Sequence, residues 1–162
     1  VGATITNSGT QVGFGGANTP AFLASVGSDQ ILTDNAVTKI QYSSELFDTD
    51  SCYDPTTNYR FTPNVAGSYY IFASILNDSD SSNNYNSGSI RLYKNGSLFQ
   101  LSYMQTEGDG RQYSQNLNII DIANGSSDYY EIYSHCDTVS GSTSTISNAN
   151  NRNVFGAYKI IE

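Results

Sequence analysis

Residues 60–76 read Arg60-Phe61-Thr62-Pro63-Asn64-Val65-Ala66-Gly67-Ser68-Tyr69-Tyr70-Ile71-Phe72-Ala73-Ser74-Ile75-Leu76. Pro63 fixes φ and Gly67 is free to take a positive φ, so 63–67 is turn chemistry. From Ser68 to Leu76 the side chains favour strands and are apolar almost without a break. A strand with one wet face alternates; a nearly continuous apolar run is expected where both faces are covered.

Strand and turn signals repeat on either side of this stretch. Residues 21–26 form a short apolar run ending at Gly27. In 37–42, Val37, Lys39 and Gln41 alternate with Thr38, Ile40 and Tyr42. Residues 59–62 and 89–94 read as strands, the latter with Ile90, Leu92 and Lys94 on one face. Asn95-Gly96 suits a type I′ hairpin turn, which needs positive φ at both positions, and 98–104 is the return strand. Residues 112–122 place Tyr113, Gln115, Leu117 and Ile119 on one face. Asn124-Gly125 is read as a second turn of the Asn-Gly kind, 129–134 as a strand and 154–161 as the closing strand. Polar stretches at 47–58, 77–88, 107–110 and 141–153 read as loops. No segment has helical periodicity. The expectation is an all-β antiparallel sandwich of about ten strands in a jelly roll.

Composition agrees. The 162 residues suit one domain. Charged residues make up 14%, against about 25% in an average domain, so Ser, Thr, Asn and Gln must supply the polar surface. Residues 1–19 are small and Gly-rich and read as an extended arm, leaving 20–162 as the folded domain. The net charge of −8 leaves no basic patch for nucleic acid or for an anionic membrane, and no apolar run is long enough to span a bilayer.

The order of motifs resembles the C1q-like and tumour-necrosis-factor-like globular heads. The stretch Tyr53-Asp54-Pro55-Thr56-Thr57-Asn58-Tyr59-Arg60-Phe61, continuing through Pro63 and Gly67 to Tyr70-Ile71-Phe72, is similar to the signature of C1q-like heads. Leu92-Tyr93-Lys94-Asn95-Gly96, the turn from Asn124 to Tyr130 and Val154-Phe155-Gly156-Ala157-Tyr158 resemble its later blocks. The likeness runs from about Pro20 to Ile161. Pro63 stands where the family has a Cys, Gly156-Ala157 replaces Ser-Gly, and no collagen-like stalk precedes the domain. The Asn/Ser/Thr/Tyr-rich wording resembles versions carried on bacteriophage fibres and capsids. The resemblance implies a homotrimer packed through aromatic faces around a threefold axis, with Tyr69, Tyr70, Phe72, Phe155 and Tyr158 as core or trimer aromatics. It implies a virion structural module whose partners are itself and a major capsid protein, a tail-fibre shaft or a host surface receptor. The alternative is a secreted, extracellular recognition lectin for carbohydrate or protein ligands.

No constellation reads as catalytic. His135 and Cys136 are neighbours on a strand, so their side chains point to opposite faces and do not form a nucleophile pair. The carboxylates of Glu107 and Asp109, or of Asp48 and Asp50, lack the tryptophan platform common in glycosidases. Asp48, Asp50 and Asp54 lie within seven residues and offer hard oxygen ligands to calcium, with a hydrated acidic loop as the competing reading. Beyond that calcium, no cofactor is expected. Cys52 and Cys136 are either two buried thiols or a cross-strand disulfide.

Overall fold

The computed structural model describes residues 18–79, 84–108, 110–149 and 152–160. Among these, every regular element is a strand: β1 (Ala21–Ser25), β2 (Gln30–Leu32), β3 (Ala36–Lys39), β4 (Ser44–Asp48), β5 (Tyr53–Asp54), β6 (Arg60–Phe61), β7 (Gly67–Ser79), β8 (Tyr85–Lys94), β9 (Ser97–Gln105), β10 (Gln112–Ala123), β11 (Tyr130–Thr138), β12 (Ser144–Ile146) and β13 (Val154–Lys159). The count exceeds ten because β2, β5 and β12 are two or three residues long, too short to show a period, and because β4 runs into the stretch read as a loop from 47.

The strands form two antiparallel sheets. The seven-stranded sheet runs β2-β12-β7-β13-β1-β4, with β10 on the other edge of β7. The six-stranded sheet runs β5-β6-β11-β8-β9, with β3 also on β11. From β6 onward the chain crosses between the sheets at five of its seven connections, which is the jelly-roll path.

The 13-residue strand β7 organises the molecule. β10 pairs with it along its whole length, from Gln112 opposite Asp78 to Ala123 opposite Gly67. Its other edge is shared: β13 covers Tyr69 to Ser74 and β12 covers Asn77 to Ser79. Between them Leu76 N–H donates to Asn153 Oδ1, a buried side chain standing in for the missing strand.

Inward side chains divide the core in two. One half is aromatic: Phe22 stacks on Tyr53 at 4.5 Å and on Phe61 at 4.8 Å, and meets Phe155 edge-on at 4.9 Å. The other half is more polar. Tyr85 and Tyr113 pack edge to face beside buried Asn77, Ser134, Cys136 and Ser144. Asn77 donates to Ser134 Oγ, and Ser144 donates to Cys136 Sγ. Gln115 spans the sheets, donating to the carbonyls of Gly88 and Ser102.

Three sequence expectations are corrected. Of the stretch 77–88, residues 77–79 and 85–88 are strand: Asn77, Ser79 and Tyr85 point into the core, and the ladder satisfies their backbone although the composition is loop-like. Residues 141–153 contain β12 for the same reason. The Asn95-Gly96 turn has positive φ at both residues (53° and 76°), but at 124–125 only Gly125 does (71°). There the Asn124 side chain builds the turn instead, its Oδ1 accepting from the N–H groups of Ser126, Ser127 and Asp128. Of the expected arm, 1–17 lies outside the described residues. At its end Asn18 donates to the carbonyl of Lys159.

Candidate functional site

The five aromatic residues singled out in the sequence separate by strand parity. Tyr69 and Phe155 are fully buried between the sheets. Burial pushes the Tyr69 hydroxyl up to about 12, and it donates to Val65 O at 2.7 Å. Tyr70, Phe72 and Tyr158 lie on the opposite, outer face of the seven-stranded sheet. Tyr70 pairs across the ladder with Tyr158 on one side and Ile120 on the other. The Tyr70 ring sits 5.5 Å from Tyr158 and 5.9 Å from Phe72.

Ile120 and Ile122 complete this face and are strongly exposed, at 62% and 70%. The sequence carried the signal, since both have opposite parity to Leu117 and Ile119, but a run read as two-sided burial does not say which side stays open in the single chain. Gly156 has a defined part here. A Cβ built on it would stand 2.5 Å from Phe72 Cζ and 3.0 Å from Phe22 O, so its bareness lets the Phe72 ring lie across β13. Beside the rings a hollow of about 430 Å³ is lined by Tyr70, Phe72, Ser74, Asn116, Asn118 and Val154.

The acidic loop is a self-capped turn. Asp54 accepts from the N–H groups of Thr56, Thr57 and Asn58 and from the Asn58 amide. These donors, Thr57 N–H foremost, hold its carboxyl well below the usual range. Burial works to raise Asp48, but N–H groups of Tyr53, Cys52 and Asp50 outweigh it. No group of three His, Cys, Asp or Glu side chains that could hold a metal ion is found among the described residues.

Of the two alternatives for the cysteines, the structure has the first: Cys52 and Cys136 are both buried free thiols. Cys52 lies against Asp48 Oδ1 at 3.2 Å and Cys136 against Ser144. Burial raises both thiols above their ordinary value. His135 faces outward and Cys136 inward, as strand parity requires.

Asp54 supports a testable expectation. Its folded carboxyl is depressed, so its contribution is fully present above the unfolded value of about 3.9 and is lost as pH falls below it. Asp54→Ala is expected to cost about 1 kcal/mol at neutral pH, as for other side chains that cap backbone N–H groups. Urea unfolding at pH 7 and pH 3 checks this: the gap between wild type and variant should narrow at pH 3, and an equal or wider gap there refutes the role.

No protein-family model matches the chain, and no curated protein matches it in sequence. Solved structures do match in shape. Murine APRIL at pH 5.0 superposes with a TM-score of 0.64 at 10% identity, covering 86% of this chain and 98% of that one. Eiger TNF from S. frugiperda superposes with a TM-score of 0.62 at 9% identity, covering 88% and 91%. The fold is the tumour-necrosis-factor jelly roll. At these identities the likeness concerns the fold alone. Within it, the face carrying Tyr70, Phe72 and Tyr158 is the outer surface formed by β10, β7 and β13.

Proposed function

We propose that this chain is a non-catalytic head that assembles as a homotrimer and serves as a virion structural module, decorating a capsid or ending a tail fibre. The observation that carries the assembly is the outward apolar face of Tyr70, Phe72, Tyr158, Ile120 and Ile122. A monomeric protein rarely leaves such contiguous apolar surface to water. A second apolar surface lies elsewhere, on β9, where Leu98, Phe99, Leu101 and Tyr103 are each 44–54% exposed. Two different apolar surfaces on one chain suit a heterologous contact, which closes into a ring when the rotation permits. Threefold closure is what the sequence resemblance implies. The virion setting rests on the phage-like wording of 61–69 and on the low-charge, Asn/Ser/Thr-rich surface. A capsid protein, a fibre shaft or a host receptor is then the partner. The second reading, a secreted recognition lectin, is favoured by the murine source of one similar head.

Light scattering at micromolar concentration should give three times the chain mass of 17.6 kDa. The double variant Tyr70→Ser, Ile120→Ser should remain folded and become monomeric. Removing two apolar side chains of about 1.5 kcal/mol or more each weakens association at least a hundredfold. A monomeric wild type refutes the assembly. Immunogold labelling of intact particles, against assay of culture supernatant, separates the virion setting from the secreted one.

A further inference from the structure

The outer face of the six-stranded sheet carries the apolar β9 side chains Leu98 and Leu101 at one edge, opposite Tyr93 and Arg91, and a different chemistry from there across β8, β11 and β6. Parity places Glu131 and Tyr133 of β11 outward, since Tyr130, Ile132 and Ser134 are fully buried. Their ladder partners share that face. Glu131 stands between Arg60 and Tyr93, and Tyr133 stands between Lys39 and Arg91. The Tyr93 and Tyr133 rings lie 4.4 Å apart. Lys39 is spent on Glu131 at 2.6 Å.

The two arginines are not spent. The chain has 15 acidic residues and only 7 basic ones, yet no carboxylate among the described residues pairs with Arg60 or Arg91. Arg91 donates through Nε to Ser89 Oγ at 2.8 Å, which leaves its terminal nitrogens free. Arg60 lies over the Tyr129 ring at 4.5 Å. Two strands and two residues separate Arg60 from Arg91, about 12 Å by sheet spacing. Of the carboxylates opposite Arg60, Glu131 is held by Lys39 and Asp54 by its own turn. In an acidic protein, two guanidinium groups that form no ion pair beside a pair of tyrosine rings form a receptor for anions that also present a flat apolar surface.

We infer that this face binds a carboxylate-bearing polysaccharide. Sugar carboxylates pair with the free guanidinium edges, and the C–H faces of the sugar rings pack on Tyr93 and Tyr133. A peptide is the poorer occupant, because β8 and β11 are paired on both edges and offer no backbone for strand addition. The inference deepens the reading of the chain as a binding head and rests on it for its relevance. The site lies within one chain, however, so its failure leaves the trimer untouched, and a monomer can still bind.

The test uses the full chain at 0.15 M salt, where exposed charges more than about 8 Å apart are largely screened. Polygalacturonate, neutral dextran and poly-glutamate are compared by calorimetry. Polygalacturonate should bind, dextran should not, and poly-glutamate should bind at least tenfold more weakly. Arg91→Ala and Arg60→Ala should each weaken polygalacturonate binding about tenfold, with an unchanged circular dichroism spectrum. Arg91→Lys should weaken it too, because a lysine lacks the bidentate fork. Tyr93→Ala should weaken polygalacturonate more than poly-glutamate. Absence of polygalacturonate binding, indifference to both arginines, or equal binding of poly-glutamate overturns the proposal.

Discussion

Phe155→Ala is expected to destabilise the folded chain by about 3–5 kcal/mol, the usual cost of emptying a buried aromatic site, while Tyr158→Ala, three residues along the same strand, costs less than about 1 kcal/mol, as for an exposed position. Phe155 is fully buried and meets Phe22 at 4.9 Å, Tyr42 at 5.7 Å and Tyr53 at 5.9 Å. Its ring therefore joins β13 to aromatics from both sheets, and the ladders fixing Phe22 and Phe155 keep the walls from collapsing into the space. Tyr158 is 38% exposed and touches Tyr70 on the outer face. Both substitutions should be measured by urea unfolding in the monomeric Tyr70→Ser, Ile120→Ser background, because assembly adds stability by mass action. In the wild-type background Tyr158→Ala should instead lower the mass seen by light scattering. Comparable losses for the two variants would show that the strand's faces have been assigned wrongly.

This contrast also marks what could be read from the sequence. The run from Ser68 to Leu76 announced a strand covered on both faces; it is a strand, and within the single chain only its inner face is fully covered. The sequence did not say that one cover is the opposite sheet and the other is absent from the single chain, so Tyr69 and Tyr70 looked alike. Only pairing with β10 and β13 separates them, by giving each outward residue an outward neighbour. Polar strands were illegible for a different reason. Asn77 and Ser144 are buried and look like loop residues, but their backbone groups are satisfied by ladders to distant strands. Ladder pairing between remote segments overrides local composition. Carboxylate spacing in the acidic loop records how many oxygens are present and not which N–H groups already hold them. Arg60 and Arg91 passed unnoticed because their lack of partners is a property of the assembled sheet.

Gly125→Ala is expected to cost about 2–4 kcal/mol, combining backbone strain at positive φ with overpacking. Gly125 has φ near 71°, and a Cβ there would stand 2.5 Å from Val65 C and 2.9 Å from Ala66 Cα. Both are backbone atoms, which have no rotamer to escape through. Neither loop has room to retreat. The 124–128 turn is held from inside by Asn124 Oδ1. It is also tied to the Asn95-Gly96 hairpin, since Asn95 donates to Asp128 Oδ1 and Tyr129 N–H donates to Asn95 Oδ1. On the other side Val65 O accepts from Tyr69 at the head of β7. Pushing the loops apart therefore disturbs the start of the organising strand as well as the turn. Gly110 is the control: its φ is 105°, but nothing lies within 4 Å of a Cβ built there. Gly110→Ala should show only the conformational cost, about 1 kcal/mol. Equilibrium unfolding of the two variants isolates the steric part, and a loss at Gly125 no greater than that at Gly110 would mean that 65–66 yields to the added methyl group.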